Sequence, residues 1–363
     1  MAGSALDETL QQFGLYSPRT LTLALTGACN LSCSHCFVGA GEAGSAGHVP
    51  GATLVRLISE FARLGGEGVR LTGGEPLCHP NWLELLRLAV AAGFSSVSLQ
   101  TNAMLLDDRA VAALRELDFP GLAIQVSFDG ASAASHDLVR GSGAFDSLMS
   151  AMGKLSRAGL AGRISIFFTE MRHNLDEIPS LLLLAERLGV SAVATGALVA
   201  CGRAADDARV QPPDPSQYLR LLERHHADRE FARRYLKLGK VAALEWRLGD
   251  APRLESCTFV QHPYLDARGR LYPCVLCHAD PYCVTGVFQK KLADAFAEGA
   301  PLWAGLLEAS RSRSRCIPGC RACPERESCG GGCLGRAWGS SRDVMAADDR
   351  CAARRAVRGW KSQ

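Results

Sequence analysis

The sequence predicts an α/β chain in two parts: a partial (βα)6 TIM-like barrel, then a loop-rich C-terminal domain held by metal. Three observations carry that reading. From Leu21 to about Ala200, short β-rich runs alternate with segments of helical period. Beyond Glu255 the periodicity fades while Gly, Pro, Cys and Arg rise. The 15 cysteines gather at the two ends of this plan, three from Cys29 to Cys36 and ten from Cys257 to Cys351, with only Cys78 and Cys201 between.

The β-rich runs are Leu21–Thr26, Val69–Thr72, Val97–Thr101, Ala123–Phe128, Ile164–Thr169 and Ala192–Val199. The helical segments between them are Thr53–Leu64, Asn81–Ala92, Asp107–Leu117, Phe145–Ala158 and Leu175–Leu188. Turn residues mark the joints, which reads as parallel strands with crossover helices. A flat doubly wound sheet satisfies the same alternation, and periodicity alone leaves both open. A charged helical stretch from Pro215 to Leu238 covers the sheet or links to the next domain. The expected divisions are an extension (1–20), the barrel (21–240), and a linker with the C-terminal domain (241–363). Gly39–Gly51 reads as a flexible loop.

The composition, 47% hydrophobic and 21% charged, is that of a globular protein. A net charge of +3 is too small to imply nucleic acid, and no apolar run is long enough to span a membrane. The first residues are acidic and lack a basic n-region, so a cytoplasmic location is expected. That compartment keeps thiols reduced, so clustered cysteines point to metal rather than to disulfides. A segment of about a hundred loop-rich residues needs such staples, because it cannot build a large apolar core.

The first thiol group is Cys29-x3-Cys33-x2-Cys36, directly after the first strand. Loops in that position form the active face of an α/β barrel. Three thiolates hold three corners of a [4Fe–4S] cube and leave one iron open, as catalytic metal sites do. One βα unit later comes Gly73-Gly74-Glu75-Pro76, where glycines let the backbone approach a ligand and Glu75 offers an acceptor. A zinc site is the alternative for the thiols alone.

Together these motifs resemble the radical S-adenosylmethionine (SAM) superfamily. The resemblance implies that the open iron chelates SAM, whose reductive cleavage gives methionine and a 5′-deoxyadenosyl radical that abstracts hydrogen from substrate. It also implies an external electron donor such as flavodoxin or ferredoxin. Gln100-Thr101-Asn102, Ser127-Phe128-Asp129-Gly130 and His136-Asp137-Leu138-Val139-Arg140-Gly141 are similar to segments of coenzyme PQQ maturases and anaerobic sulfatase maturases. That likeness implies Ser127 and Arg140 as partners of the SAM carboxylate and Asn102 as a residue of its pocket, beside Gly73, Gly74 and Glu75. Read without it, Asp129 is a turn former before Gly130 and Arg140 a surface ion-pair partner.

The C-terminal cysteines run Cys257-x11-Gly269-x4-Cys274, then Cys320-x2-Cys323-x5-Cys329-x3-Cys333, then Cys351. They resemble the SPASM domain, which carries two auxiliary iron–sulfur clusters. The likeness implies that Cys320, Cys323, Cys329 and Cys351 hold the distal cluster and Cys257, Cys274 and Cys333 the proximal one. The chain would then carry three clusters, the auxiliary pair being [4Fe–4S] like the first. The fourth proximal ligand stays open between Cys277, Cys283, another group and none. Cys316 repeats the first motif's spacing with Cys320 and Cys323, but reads as a bystander in a Pro/Gly-rich loop. Cys78 and Cys201 read as buried apolar residues.

From Arg311 to Gln363 there are 12 Arg/Lys against 5 Asp/Glu. This is either a solvated face offsetting cluster charge or a dock for an acidic partner. The resemblance implies a peptide-modifying enzyme that crosslinks, oxidises or epimerises a residue. A small-molecule or tetrapyrrole oxidoreductase is second, and a zinc-stabilised binding protein third. Val275 stands where sulfatase maturases place an aspartate base, which argues against formylglycine formation. With Cys29 so early there is no room for an N-terminal leader-binding domain, so a peptide is expected to meet the SPASM surface or a separate recognition protein. The catalytic acid or base is not assigned; Tyr264, Tyr272 and Tyr282 read as packing residues.

Overall fold

The computed structural model describes residues 2–41, 46–248, 257–278 and 280–361. Part of the expected glycine-rich loop (42–45) and of the expected linker (249–256) lies outside them.

Among the described residues nine strands form one sheet: β1 Thr20–Ala24, β2 Gly68–Thr72, β3 Ser96–Thr101, β4 Leu122–Ser127, β5 Ile164–Glu170, β6 Ala192–Ala197, β7 Gly239–Lys240, β8 Tyr264–Leu265 and β9 Leu271–Tyr272. Their order is β7-β6-β5-β4-β3-β2-β1-β8-β9. From β1 to β7 each strand lies parallel beside its sequence neighbour. The winding never reverses, so there is no switch point of the kind that defines a doubly wound sheet. The arrangement is a partial barrel. β8 pairs parallel with β1 and antiparallel with β9, so the C-terminal part continues the sheet past the first strand.

Register explains the core. Leu23, Leu71, Leu99, Ile124 and Ile164 stand side by side across five strands and are fully buried. Period-2 alternation then turns Arg70, Ser98, Gln100, Gln125 and Ser127 to the other, half-buried face. One face is therefore apolar and the other carries polar chemistry.

The helices are α1 Ala2–Gln12, α2 Gly51–Arg63, α3 Trp82–Ala91, α4 Asp108–Glu116, α5 Ala133–Arg140, α6 Ala144–Arg157, α7 Ile178–Leu188, α8 Pro215–Ala227, α9 Arg229–Leu238, α10 Ala242–Leu248, α11 Leu292–Cys316, α12 Pro318–Arg321, α13 Arg326–Cys329, α14 Leu334–Ser341 and α15 Cys351–Gly359. Helix α2 shows why: Leu54, Leu57, Ile58 and Phe61 recur at helical spacing and are all buried. Asp107 caps α4 by accepting from the Ala110 N–H. None of the helices is long and apolar enough to cross a membrane among the described residues.

Three expectations are corrected. The stretch Pro215–Leu238 is two helices, because the Asp228 carboxylate accepts from the N–H groups of Glu230 and Phe231 and starts a new one. The C-terminal part is more helical than its Gly/Pro content implies. Helix α11 alone has 25 residues; its buried stripe includes Gly299, Ala300, Ser310 and Arg313, and Pro301 lies within it, so no apolar period shows. Cys316 is exposed at the end of this helix, not in a Pro/Gly-rich loop.

Candidate functional site

The loop after β1 carries Cys29, Cys33 and Cys36, and the turn after β2 is stapled to it. The Gly74 N–H donates to the Thr26 carbonyl at 2.7 Å, and the Glu75 N–H to the Ala28 carbonyl at 2.9 Å. A Cβ on Gly74 would lie 2.3 Å from the Ala28 oxygen, and one on Gly73 2.5 Å from the Thr26 oxygen. Only glycine permits this approach. Glu75 is buried, and its carboxylate accepts from Leu77 N–H, Thr101 Oγ1 at 2.7 Å and Asn102 N–H at 2.8 Å. Burial pushes its pKa up to about 7, against the lowering effect of those hydrogen bonds. Asn102 Nδ2 donates to Asn30 Oδ1 at 2.8 Å, inside the cysteine loop. Ala103, next along, has φ 64° although it is not glycine, so the turn after β3 is held in a strained form. Glu75 and Asn102 thus tie three strand-end turns together around the thiols.

Ser127 ends β4, half-buried on the polar face. Two residues on, Asp129 is fully buried. It accepts from Arg140 Nε at 2.5 Å and the Thr169 N–H at 3.0 Å, and its Oδ2 lies 3.2 Å from His35 Nε2. Burial opposes ionisation of Asp129, but Arg140 and His35 hold its pKa well below the usual carboxylate range. Burial lowers His35 to about 4. Asp129 is therefore a buried anchor rather than a turn former, and Arg140 is not a surface residue. Arg140 and His35 are placed against the cysteine loop by one carboxylate. Sequence reasoning passed over His35, although it lies between two of the motif cysteines.

Arg203 was also missed. Its Nε donates to the Cys33 carbonyl at 2.8 Å and its Nη1 to the Ala40 carbonyl at 2.9 Å, clamping the loop from the segment after β6. No sequence signal marks it, since its partners are backbone atoms far along the chain.

The thiols suit an iron–sulfur cluster. Burial pushes Cys29 up to about 12 and raises Cys33, so thiolates there need a neighbouring cation. Ser34 Oγ and His35 Nδ1 are buried without a partner among the described residues. Beside the loop is a cavity of about 240 Å³, lined by Thr26, Gly27, Gly73 and Gly74 on one side and Tyr264, Tyr272 and His278 on the other. The His278 ring stacks on Tyr272 at 5.0 Å between centroids and lies tilted against Tyr264 at 4.7 Å.

In the C-terminal part, Cys320, Cys323, Cys329 and Cys351 line one cavity. Cys333 does not line it. Burial raises the Cys257 thiol to about 11, and Cys333 raises it further, which places these two together. Burial likewise raises Cys274, with Cys277, Cys333 and Cys257 adding to the effect. The structure thus gathers the thiols into two groups. Among the described residues, no three Cys, His, Asp or Glu converge on a single-ion site. Cys201 is buried, lining the wall of the larger cavity, and Cys78 is half-buried in the turn after Glu75.

The basic tail divides: Arg311, Arg315, Arg321, Arg342, Arg355 and Lys361 are exposed, while Arg313, Arg336, Arg350 and Arg354 are buried. Arg313 is fully buried and donates to the carbonyls of Gly331 and Ala346. Arg336 pairs with Asp349 and Arg358 with Glu325. Arg354 pairs with Asp348 and lies 3.5 Å from the Cys329 sulfur. Arg350 pairs with Glu170 at the end of β5 and bonds Tyr218, locking the start of α15 onto the barrel. The buried members of this set are held by carbonyl and carboxylate partners inside the fold.

Residues 23–185 match the radical SAM superfamily. The chain is 30% identical over 356 residues to the mycofactocin maturase of Mycobacterium ulcerans, covering 96% of this chain and 92% of the relative. It is 35% identical over 207 residues to the AdoMet-dependent heme synthase of Methanosarcina barkeri, covering 57% of each. Among solved structures, SuiB of Streptococcus suis bound to S-adenosylmethionine aligns with TM-score 0.74 at 16% identity, over 95% of this chain and 80% of that one. Native anSMEcpe with bound AdoMet aligns with TM-score 0.73 at 16% identity, over 94% and 96%.

Proposed function

The chain belongs to the radical SAM superfamily, and from that premise we propose that it is a peptide-modifying maturase with two auxiliary clusters. The observation that carries this is the thiol arrangement: an open set of three on the barrel face and two further sets in the C-terminal part. When bound, the first cluster and SAM supply the reductive cleavage that yields a 5′-deoxyadenosyl radical.

The chain's own residues do the rest. Cys29, Cys33 and Cys36 hold the cluster. Gly73 and Gly74 allow backbone approach to SAM, while Glu75 and Asn102 fix the turns that surround it. Ser127 and Arg140 meet its carboxylate, with Arg140 held by Asp129. Tyr264, Tyr272 and His278 form an aromatic wall of the cavity opposite Gly73 and Gly74. Cys320, Cys323, Cys329 and Cys351 hold the distal cluster; Cys257, Cys274 and Cys333 hold the proximal one.

A peptide substrate is favoured because the mycofactocin maturase matches this chain through both parts, whereas the heme synthase match spans 57% of the chain. The test is anaerobic reconstitution with iron and sulfide, then incubation with SAM and a reductant. Release of 5′-deoxyadenosine is expected. A colourless, zinc-loaded protein without iron would refute the reading. For the substrate, a short peptide encoded beside the gene should change mass in the same reaction; a tetrapyrrole turned over instead would favour the second reading.

A further inference from the structure

We propose that Cys277 is the fourth thiolate of the proximal auxiliary cluster, beside Cys257, Cys274 and Cys333, and that Cys283 lies outside it. This rests on the auxiliary-cluster reading above and decides what that reading leaves open.

The first observation is a shared turn. The Cys277 N–H donates to the Cys274 carbonyl at 3.2 Å, closing a tight turn over Cys274-Val275-Leu276-Cys277. The same bond closes Cys33–Cys36 at 3.2 Å and Cys320–Cys323 at 3.1 Å. A C-x2-C turn of this kind puts two sulfurs on one metal group. Here it recurs in all three places where the chain has that spacing.

The second observation is where the turn sits. A Cβ on Gly335 would lie 2.3 Å from the Leu276 oxygen and 3.1 Å from the Cys277 nitrogen. The turn therefore rests on the first residues of α14, two positions after Cys333, and glycine is what lets it do so. Cys277 is fully buried there.

Cys283 is placed differently. It is half-exposed, its thiol donates to the Asp280 carbonyl at 3.1 Å, and it packs with Tyr264 and Tyr272. Asp280, Arg270 and Asp266 are the charged groups about it.

Four protein thiolates close the proximal cluster. No iron is left for a substrate atom, so substrate meets the aromatic cavity wall instead of that cluster. The test uses the full chain with Cys29, Cys33 and Cys36 changed to alanine, which isolates the auxiliary clusters for iron analysis, Mössbauer and EPR spectroscopy. About eight irons are expected in this background. Adding Cys277→Ser should change the g-values of one reduced cluster or lower iron by up to about four, while Cys283→Ser changes neither. A second measurement needs no change in the C-terminal part. Imidazole added to the isolated clusters should leave the EPR spectrum unaltered, because no iron is open, and should shift it in Cys277→Ala.

An unaltered spectrum in Cys277→Ser, an effect of Cys283→Ser equal to that expected for Cys277, or an imidazole shift with Cys277 intact would each overturn the assignment. A background without iron would overturn the auxiliary-cluster reading itself, whereas failure of the wild-type protein to cleave SAM would strike only the catalytic one.

Discussion

Replacing Arg350 with methionine removes the cation from a buried pair that joins the two halves of the chain. Glu170, at the end of β5, is fully buried and accepts from Arg350, from Tyr218 at 2.9 Å and from Thr195 at 2.5 Å. Breaking one side of a buried pair costs about 3–5 kcal/mol, because a charge is left without its partner. Tyr218 and Thr195 remain as donors, so the low end, about 3 kcal/mol, applies. Whole-chain unfolding entropy for 363 residues is roughly 0.76 kcal/mol/K, so the shift in midpoint is about 4 °C. Because Arg350 directly precedes Cys351, distal-cluster iron should fall as well. The decisive comparison is with Arg350→Met/Glu170→Gln, which removes the stranded charge and should recover about 2 kcal/mol. The assay is anaerobic thermal unfolding of the holoenzyme at one fixed scan rate, followed by cluster absorbance near ~400 nm. If the double variant is no more stable than Arg350→Met, the pair does not act as described.

Changing any one of Cys29, Cys33 or Cys36 to alanine should abolish 5′-deoxyadenosine release while most auxiliary iron is kept; loss of all iron would contradict separate sites. Cys323→Ala should lower both iron content and the unfolding midpoint, and unchanged values would remove Cys323 from the distal set. Asp129→Asn frees Arg140 and His35, so SAM affinity should fall about tenfold, near 1.4 kcal/mol, as read by equilibrium dialysis of the holoenzyme; unchanged affinity would show that Arg140 does not need its anchor. Glu75 carries a folded pKa of about 7 against an ordinary 4.5. Between those values the folded state keeps a proton that the unfolded chain releases, so stability falls as pH rises through the window, by on the order of 3 kcal/mol in total. Glu75→Gln should remove that slope, and parallel stability–pH curves for variant and wild type would refute it.

The positions of β1 to β6 along the chain, the thiol spacings and the Gly-Gly-Glu turn were legible because each is a local pattern: period two, period 3.6, or ligands a few residues apart. The strands expected from periodicity agree with β1 to β6 to within a residue or two. Helix α5 was legible only as a motif, because its eight residues are too few to show a period. The single winding of the sheet was not legible at all, since alternation fits both topologies and only pairing of β1 with β2 and onward separates them.

Asp129 illustrates what residue type conceals. Beside a glycine it reads as a turn, and only burial next to Arg140 and His35 makes it an anchor. The basic tail shows the same thing, since net charge along a segment says nothing about which arginines turn inward. By itself, then, the sequence pointed to the cofactor chemistry, because closely spaced thiols followed one βα unit later by the Gly-Gly-Glu turn form a local pattern that resembles one superfamily. Tertiary structure alone decided which charges are buried and which neighbours Cys277 and Cys283 face, because both depend on distances between segments far apart in the chain.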